Sequence, residues 1–173
     1  IDDDTRIVLF LHHLSARKGA DLIMPIAESF ERDDSILFLV AGSGPLRHTI
    51  KGINIRVVGA IPQRDVPMYF AAADVFFMPS EEEGFPHVLL EAMAMGVPIV
   101  ASDVGGVREI MPPELGEFIV TQDPLLFAGK IRKLLADPGL AARLSAVEHA
   151  WVERYLVEAV LPIFSDLIED TKI

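Results

Sequence analysis

Cysteine is absent from this sequence, which removes disulfides and thiolate metal sites and leaves the redox compartment open. Basic residues are scarce. Fifteen Lys and Arg stand against 26 Asp and Glu, for a net charge of -11. That balance argues against a nucleic-acid binder, whose first attraction is to phosphates, yet it permits a small anion held by a few local donors. Long apolar runs are also missing; the longest fall well short of the ~20 residues that a membrane span needs. The chain opens "IDDDTR", acidic where a signal peptide is basic, so a cytoplasmic location is expected. It starts without Met and reaches an apolar run at once, which reads as a domain of a longer protein. Its 173 residues suffice for one full core and not for two domains of ordinary size.

What is present is alternation. "RIVLFL" (6–11), "ILFLVA" (36–41), "NIRVVG" (54–59), "DVFFMP" (74–79), "PIVAS" (98–102) and "GEFIV" (116–120) read as strands. Helical patterns separate them at 19–30, where Pro25 predicts a kink or early break, at 66–73 and at 87–95. Continuous Val, Ile, Leu and Phe without polar alternation is what a parallel sheet covered on both faces requires. The expected fold is therefore α/β, a Rossmann-like doubly wound sheet of about six parallel strands with C-terminal helices. From 124 onward the pattern is helical. Phe127, Ile131, Leu134 and Leu135 form one stripe, and Val157, Val160, Leu161, Phe164, Leu167 and Ile168 a second, which Pro162 should kink or split. One domain over 1–173 is expected.

In an open parallel sheet, ligands sit beyond the carboxyl ends of the strands. The loops there are "HHLSARKG", "GSGPLR", "GAIPQRD", "SEEEGFPH" and "DVGGVRE", rich in Gly, Ser, Pro and charge. In the stretch from Glu81 to Gly106, Gly84 is expected to allow an unusual backbone angle and Pro86 to take the first helical position. The N–H groups of His87, Val88 and Leu89 would then face an anion. Glu83 lies at the rim of that site, and Glu91 roughly 7 Å deeper at helical rise. A carboxylate beside an anion site is awkward against a phosphate and sensible against a neutral diol such as a ribose. The plain alternative, a solvated charge run and an ordinary helix glutamate, stays open on spacing alone.

The stretch "EEEGFPHVLLEAMAMGVPIVASDVGGVREI" resembles the signature of GT-B-fold retaining glycosyltransferases of family 4 (group 1). Their pattern of Glu, seven residues and Glu falls here on Glu83 and Glu91. "HHLSARKG", "VAGSGP", "VVGAIP" and "FAAADVFFMPS" resemble the family's earlier blocks in the right order, from 5 to about 165. The resemblance is to the C-terminal, donor-binding domain. It implies that Glu91 holds the ribose of a nucleotide-sugar and Glu83 the transferred sugar. Backbone amides near Phe85, His87 and Val88 would face the sugar or its phosphate. Lys18, with a partner at His13, would neutralise the departing diphosphate. Gly59, Ala60 and Ile61 would lie against the base, and Ser43 and Gly44 near the nucleotide. Retention of configuration, no metal and no other cofactor are likewise implications of the family. So are an acceptor glycan, lipid or other hydroxyl compound bound by an N-terminal domain, which the last helix reaches back to, and peripheral membrane contact through that domain.

Two positions depart from the pattern. The family has Arg where this chain has His13, preceded by Gly where it has His12; Arg is a fixed charge and His is not, so either His13 works with a pH dependence, or Arg17 substitutes, or the activity is weakened. Pro86 stands where Gly is usual and lacks an N–H for the sugar. Other features read more plainly. Gly42 and Gly44 are followed by Arg47 where a dinucleotide fingerprint needs Gly or Ala. "DDD" at 2–4 precedes a strand, and His12, His13, His48, His87 and His149 lack metal-ligand spacing, so no metal site is expected. Gly105 and Gly106 either cap the nucleotide or turn the chain. Met93 and Met95 are expected in the core, and Trp151 and Tyr155 against the C-terminal helices. The expected activity is nucleotide-sugar-dependent glycosyl transfer, with little turnover by this chain alone. The alternatives are a degenerate binding or scaffold module, and a GT-B epimerase or phosphorylase.

Overall fold

A computed structural model describes residues 4–155; the second apolar stripe with Pro162 lies outside the described residues, as do Asp2 and Asp3. The strands are β1 (Arg6–Leu11), β2 (Ile36–Ala41), β3 (Ile55–Gly59), β4 (Val75–Met78), β5 (Ile99–Ser102) and β6 (Ile119–Val120). The helices are α1 (Ile23–Glu28), α2 (Val66–Ala71), α3 (His87–Ala94), α4 (Val107–Ile110), α5 (Pro124–Ala136) and α6 (Pro138–Val152). All six strands are parallel, in the order β3-β2-β1-β4-β5-β6. The winding reverses between β1 and β4, so the loops leaving those neighbouring strands part and open a crevice.

The strands form because their apolar residues are buried on both faces. Phe76 and Phe77 are adjacent in β4 and therefore point to opposite faces. Phe77 meets Phe10 and Phe38 at ring distances of 5.8 and 5.7 Å, while Phe76 meets Phe70 of α2 at 5.4 Å. Each such ring contributes about 1.5–3 kcal/mol on burial. β3 is the exception to the all-apolar expectation: as an edge strand it exposes Arg56 and Val58.

Several boundaries shift. Residues 20–22 form a 3-10 turn, and Pro25 falls third in α1, in a first turn whose N–H groups need no partner, so no kink arises. The expected strand at 116–120 narrows to Ile119–Val120, because Pro113–Phe118 form a 3-10 helix. Met93 is buried as expected, but Met95 is 38% exposed; it lies two residues, about 200°, further around the helix end. Trp151 Nε1 donates to the Ile110 carbonyl at 2.8 Å and Tyr155 Oη to that of Glu109 at 2.9 Å. These bonds fasten the end of α6 to α4.

α6 also grips the turn between α3 and β5. Ser145 Oγ donates to the Gly96 carbonyl at 2.6 Å, and Glu148 Oε1 accepts from Ile99 N at 3.2 Å. Glu148 is fully buried and its Oε2 has no partner among the described residues. Burial pushes its pKa up to about 9, only partly countered by the Ile99 N–H. Its carboxyl is therefore protonated at neutral pH.

Candidate functional site

The β4–α3 loop is braced by its neighbours. Gly19, in the left-handed region at φ 70, lies so close to the Pro79 carbonyl that a Cβ would collide with it. Glu81 N donates to the Arg17 carbonyl at 3.0 Å, and Gln122 Nε2 to that of Pro79 at 2.8 Å. From the other side, Gly105 (φ 49) packs its Cα against the Glu83 carbonyl, and Gly106 N donates to Gly84 O at 3.2 Å. The glycine pair in "DVGGVRE" thus supports the loop that presents Glu83. Gly84 itself shows no positive φ and open space where a Cβ would stand, so the expected unusual angle is not there.

Glu83 is turned inward, 9% exposed. Lys18 Nζ donates to its Oε2 at 2.7 Å and to the Glu82 carbonyl at 3.3 Å; Ser80 Oγ donates to its Oε1 at 2.7 Å. His12 Nε2 stands 3.4 Å from Oε1, long for a hydrogen bond. Burial pushes this carboxyl up, but the contacts from His12, Lys18 and Ser80 and the Lys18 charge outweigh it and hold the pKa at about 2. On the distances, Lys18 and Ser80 do most of this. An anion with fixed donors results, able to accept hydrogen bonds at neutral pH and not to donate.

Pro86, expected at the first helical position, is instead the N-cap of α3 (φ -74, ψ 93), and His87 is the first helical residue. The Pro86 carbonyl accepts from Leu89 N at 3.0 Å, so Leu89 does not offer a free N–H, and its side chain is buried. His87 and Val88 are the first two residues of α3, whose N–H groups have no partner within their own helix. About one turn on, Glu91 Oε1 accepts from Gln63 Nε2 at 3.1 Å.

Two adjoining clefts follow from this arrangement. The larger, ≈ 370 Å³, is lined by Lys18, Glu83, Phe85, Pro86, His87, Val88 and Glu91. The smaller, ≈ 250 Å³, is lined by His13, Ser43, Ala60, Ile61 and Gln63; Leu11 and His12 line both. At the opposite edge of the sheet a roomier hollow of ≈ 660 Å³ carries Arg6, Arg32 and Arg132 against Asp4, Asp33 and Asp74, so its charges balance.

Not every expected residue converges. His13 is exposed and lines the smaller cleft, away from Glu83. Arg17 turns outward to Glu82 (Nε–Oε2 2.9 Å, side chains 66% and 68% exposed) and lines neither cleft. Gly44 packs against the Leu14 backbone, which a Cβ would overlap. Gly59 is buried, its carbonyl taken by Gly42 N at 2.8 Å. Both glycines shape the site from behind. Ser80 and Gln63 were missed; their one sequence signal is position, each directly after a strand or in the loop that follows one. Among the described residues, no group of three or more His, Asp or Glu is placed to hold a metal ion, and no helix is long and apolar enough to cross a membrane.

The fold defines a Rossmann-like α/β domain of the kind found in GT-B glycosyltransferases. Residues 1–149 match the family model described as Glycosyl transferases group 1, and the chain belongs to that family. It is 32% identical over 164 residues to a D-inositol 3-phosphate glycosyltransferase of Xylanimonas cellulosilytica, covering 88% of this chain and 39% of that protein. It is 33% identical over 165 residues to a GDP-mannose-dependent alpha-(1-6)-phosphatidylinositol monomannoside mannosyltransferase of Mycolicibacterium smegmatis, covering 86% and 43%. Among solved structures, sucrose-phosphate synthase from Thermosynechococcus elongatus superposes with a TM-score of 0.81 at 28% identity, covering 98% of this chain and 46% of that one. The chain thus spans less than half the length of these relatives.

Proposed function

We propose that this chain is the donor-binding part of a glycosyltransferase that uses a nucleoside-diphosphate sugar and transfers the sugar, with retention, to an acceptor hydroxyl. One observation carries the reading. Lys18, ionised Glu83, the His87 and Val88 N–H groups and Glu91 all line one cleft at the switch point. Cation and helix N-terminus suit a diphosphate, and the two carboxylates suit hydroxyls. The name of the M. smegmatis relative, GDP-mannose-dependent, agrees with such a donor. Retention and an acceptor glycan or lipid come from the family resemblance, and the acceptor is held by parts of the protein outside this chain.

In this reading Lys18 changes partner. Without donor it pairs with Glu83 at 2.7 Å. An incoming diphosphate, with more charge, draws Nζ to itself and leaves Glu83 Oε2 to accept from a sugar hydroxyl, while Ser80 keeps Oε1 fixed. As the glycosidic bond breaks, negative charge gathers on the leaving phosphate oxygen. Once donor binding has drawn Lys18 across, it and the first N–H groups of α3 face that position and stabilise the charge electrostatically. Those groups supply the positive charge, so a metal ion is not required in the proposed step.

A second reading, donor binding without turnover, is favoured by the placement of His13 and Arg17: among the described residues, Lys18 is the one fixed cation lining the larger cleft. Calorimetric titration of the chain with UDP, GDP and ADP and their sugar conjugates tests the shared donor-site claim. At least one should bind with a sub-millimolar Kd and lose tenfold or more, about the size of a charged hydrogen bond, in Glu91→Ala. Absence of binding, or binding untouched by Glu91→Ala, would contradict the site.

A further inference from the structure

His12 follows β1 directly and lines both clefts, and its ring is held in one orientation. Its backbone N–H donates to the Ala41 carbonyl at 3.2 Å, and Gly42 (φ 144) packs so close to the His12 carbonyl that a Cβ would overlap it. The backbone is thus fixed from both sides. In the side chain, Nδ1 accepts from the His13 N–H at 2.7 Å. An imidazole nitrogen that accepts carries no proton, so the ring proton sits on Nε2. That N–H faces Glu83 Oε1 from 3.4 Å, close to it but beyond ordinary hydrogen-bond length.

The gap gains its meaning from Lys18. Glu83 is an inward-facing anion held by Lys18 on Oε2 and by Ser80 on Oε1. In the donor-bound state proposed above Lys18 leaves, and the carboxylate keeps one neutral hydroxyl. An inward-facing anion that loses its main partner is costly, and a single rotatable hydroxyl does not fix the plane of a carboxylate. Among the described side chains, the one other nitrogen that reaches this carboxylate is His12 Nε2. Oε1 has a second lone pair beside the one that Ser80 uses, and closing the gap to an ordinary bond takes a movement of about 0.5 Å. We propose that His12 is a positioning residue: when Lys18 turns to the diphosphate, the His12 Nε2–H takes hold of Glu83 Oε1 and so aims Oε2 at a hydroxyl of the donor sugar. The inference rests on the donor-site reading and deepens it, because it says what holds Glu83 after Lys18 has gone.

Three measurements test this, and two of them need no nucleotide. Nitrogen-15 NMR of the histidine-labelled chain, with His12→Gln to assign the signal, should find Nε2 protonated and Nδ1 bare; a proton on Nδ1 overturns the proposal. Carbon-13 NMR titration of the Glu83 carboxyl then reads the hold itself, with Lys18→Met standing in for the departed lysine. In that background His12→Ala should raise the Glu83 midpoint by about one pH unit, the size of one hydrogen bond. His12→Gln, whose amide can donate, should raise it by less, and with Lys18 in place His12→Ala should have a smaller effect. No movement in Lys18→Met, or equal movement in both backgrounds, overturns the proposal. The third measurement is calorimetry with UDP against UDP-glucose and GDP against GDP-mannose. His12→Ala should lower the affinity of the sugar conjugate relative to the bare diphosphate by about threefold or more, within the range of one hydrogen bond; an unchanged ratio overturns the proposal. If neither pair binds the wild type, the donor-site reading falls, while the Glu83 titration still decides whether His12 takes hold of the carboxylate.

Discussion

Replacing Lys18 by Met removes the strongest partner of an inward-facing anion, and the consequence should depend on pH. In the wild type, Glu83 is depressed from an ordinary 4.5 to about 2. A depressed carboxyl contributes stability above its unfolded pKa and loses it as pH falls through the folded value. The window is therefore about pH 4.5 down to 2, and the full contribution of the Glu83 contacts is up to about 3 kcal/mol at 1.36 kcal/mol per unit. Lys18 supplies both a 2.7 Å bond and a charge, while its own side chain is 20% exposed. Solvent access lowers its share of this to about 2 kcal/mol. For a chain of this size that is a fall in Tm of about 4–8 °C. Thermal unfolding followed by circular dichroism should show this gap at pH 7 and its shrinkage as pH drops below 4. Lys18→Met combined with Glu83→Gln should recover most of the lost stability, because no unpaired charge is left buried. A gap that is independent of pH, or a double variant as unstable as Lys18→Met, would refute the reasoning.

Glu148 should act with the opposite sign. Its pKa is raised to about 9, so its stabilisation is complete below about 4.5 and is lost as pH rises through 9, with a slope of at most about 1.4 kcal/mol per pH unit between; Glu148→Gln should flatten that decline in urea midpoints measured from pH 5 to 9. Gly105→Ala should lower Tm and weaken nucleotide binding together, since its Cβ would drive into the Glu83 carbonyl at a positive φ, a strain of about 1–3 kcal/mol. EDTA should leave donor binding unchanged, measured by the same calorimetry; a loss reversed by a divalent cation would show that Lys18 and the α3 amides are not sufficient.

How much of this was legible beforehand differs from residue to residue. The Val and Ile runs at 6–11, 36–41 and 98–102 marked central strands because burial on both faces leaves no polar alternation. Lys18 and Glu83 were placed in loops at one edge of the sheet, with a shared role implied only by the family resemblance, and in the structure they meet. The direction of a side chain within a loop was not readable: His13 and Arg17 sit beside Lys18 in sequence yet face the smaller cleft and solvent. The glycine pair at 105–106 left two roles open, because its purpose is a collision avoided with a loop more than 20 residues earlier. Glu148 carried no signal at all. It lies on a helix among Ala, Val and His, and only the docking of α6 against the α3–β5 turn buries it. Boundaries moved where a proline admits two positions, as Pro86 does at the start of α3.

The most direct measurement is a crystal structure of the chain with a bound nucleoside diphosphate sugar. The donor-site reading predicts the diphosphate in the larger cleft, with Lys18 Nζ moved from Glu83 to a phosphate oxygen, the ribose on Glu91 and a sugar hydroxyl on Glu83. A diphosphate lodged elsewhere, such as the hollow beside Arg6 and Arg132, or one bound with the Lys18–Glu83 pair still closed, would contradict it.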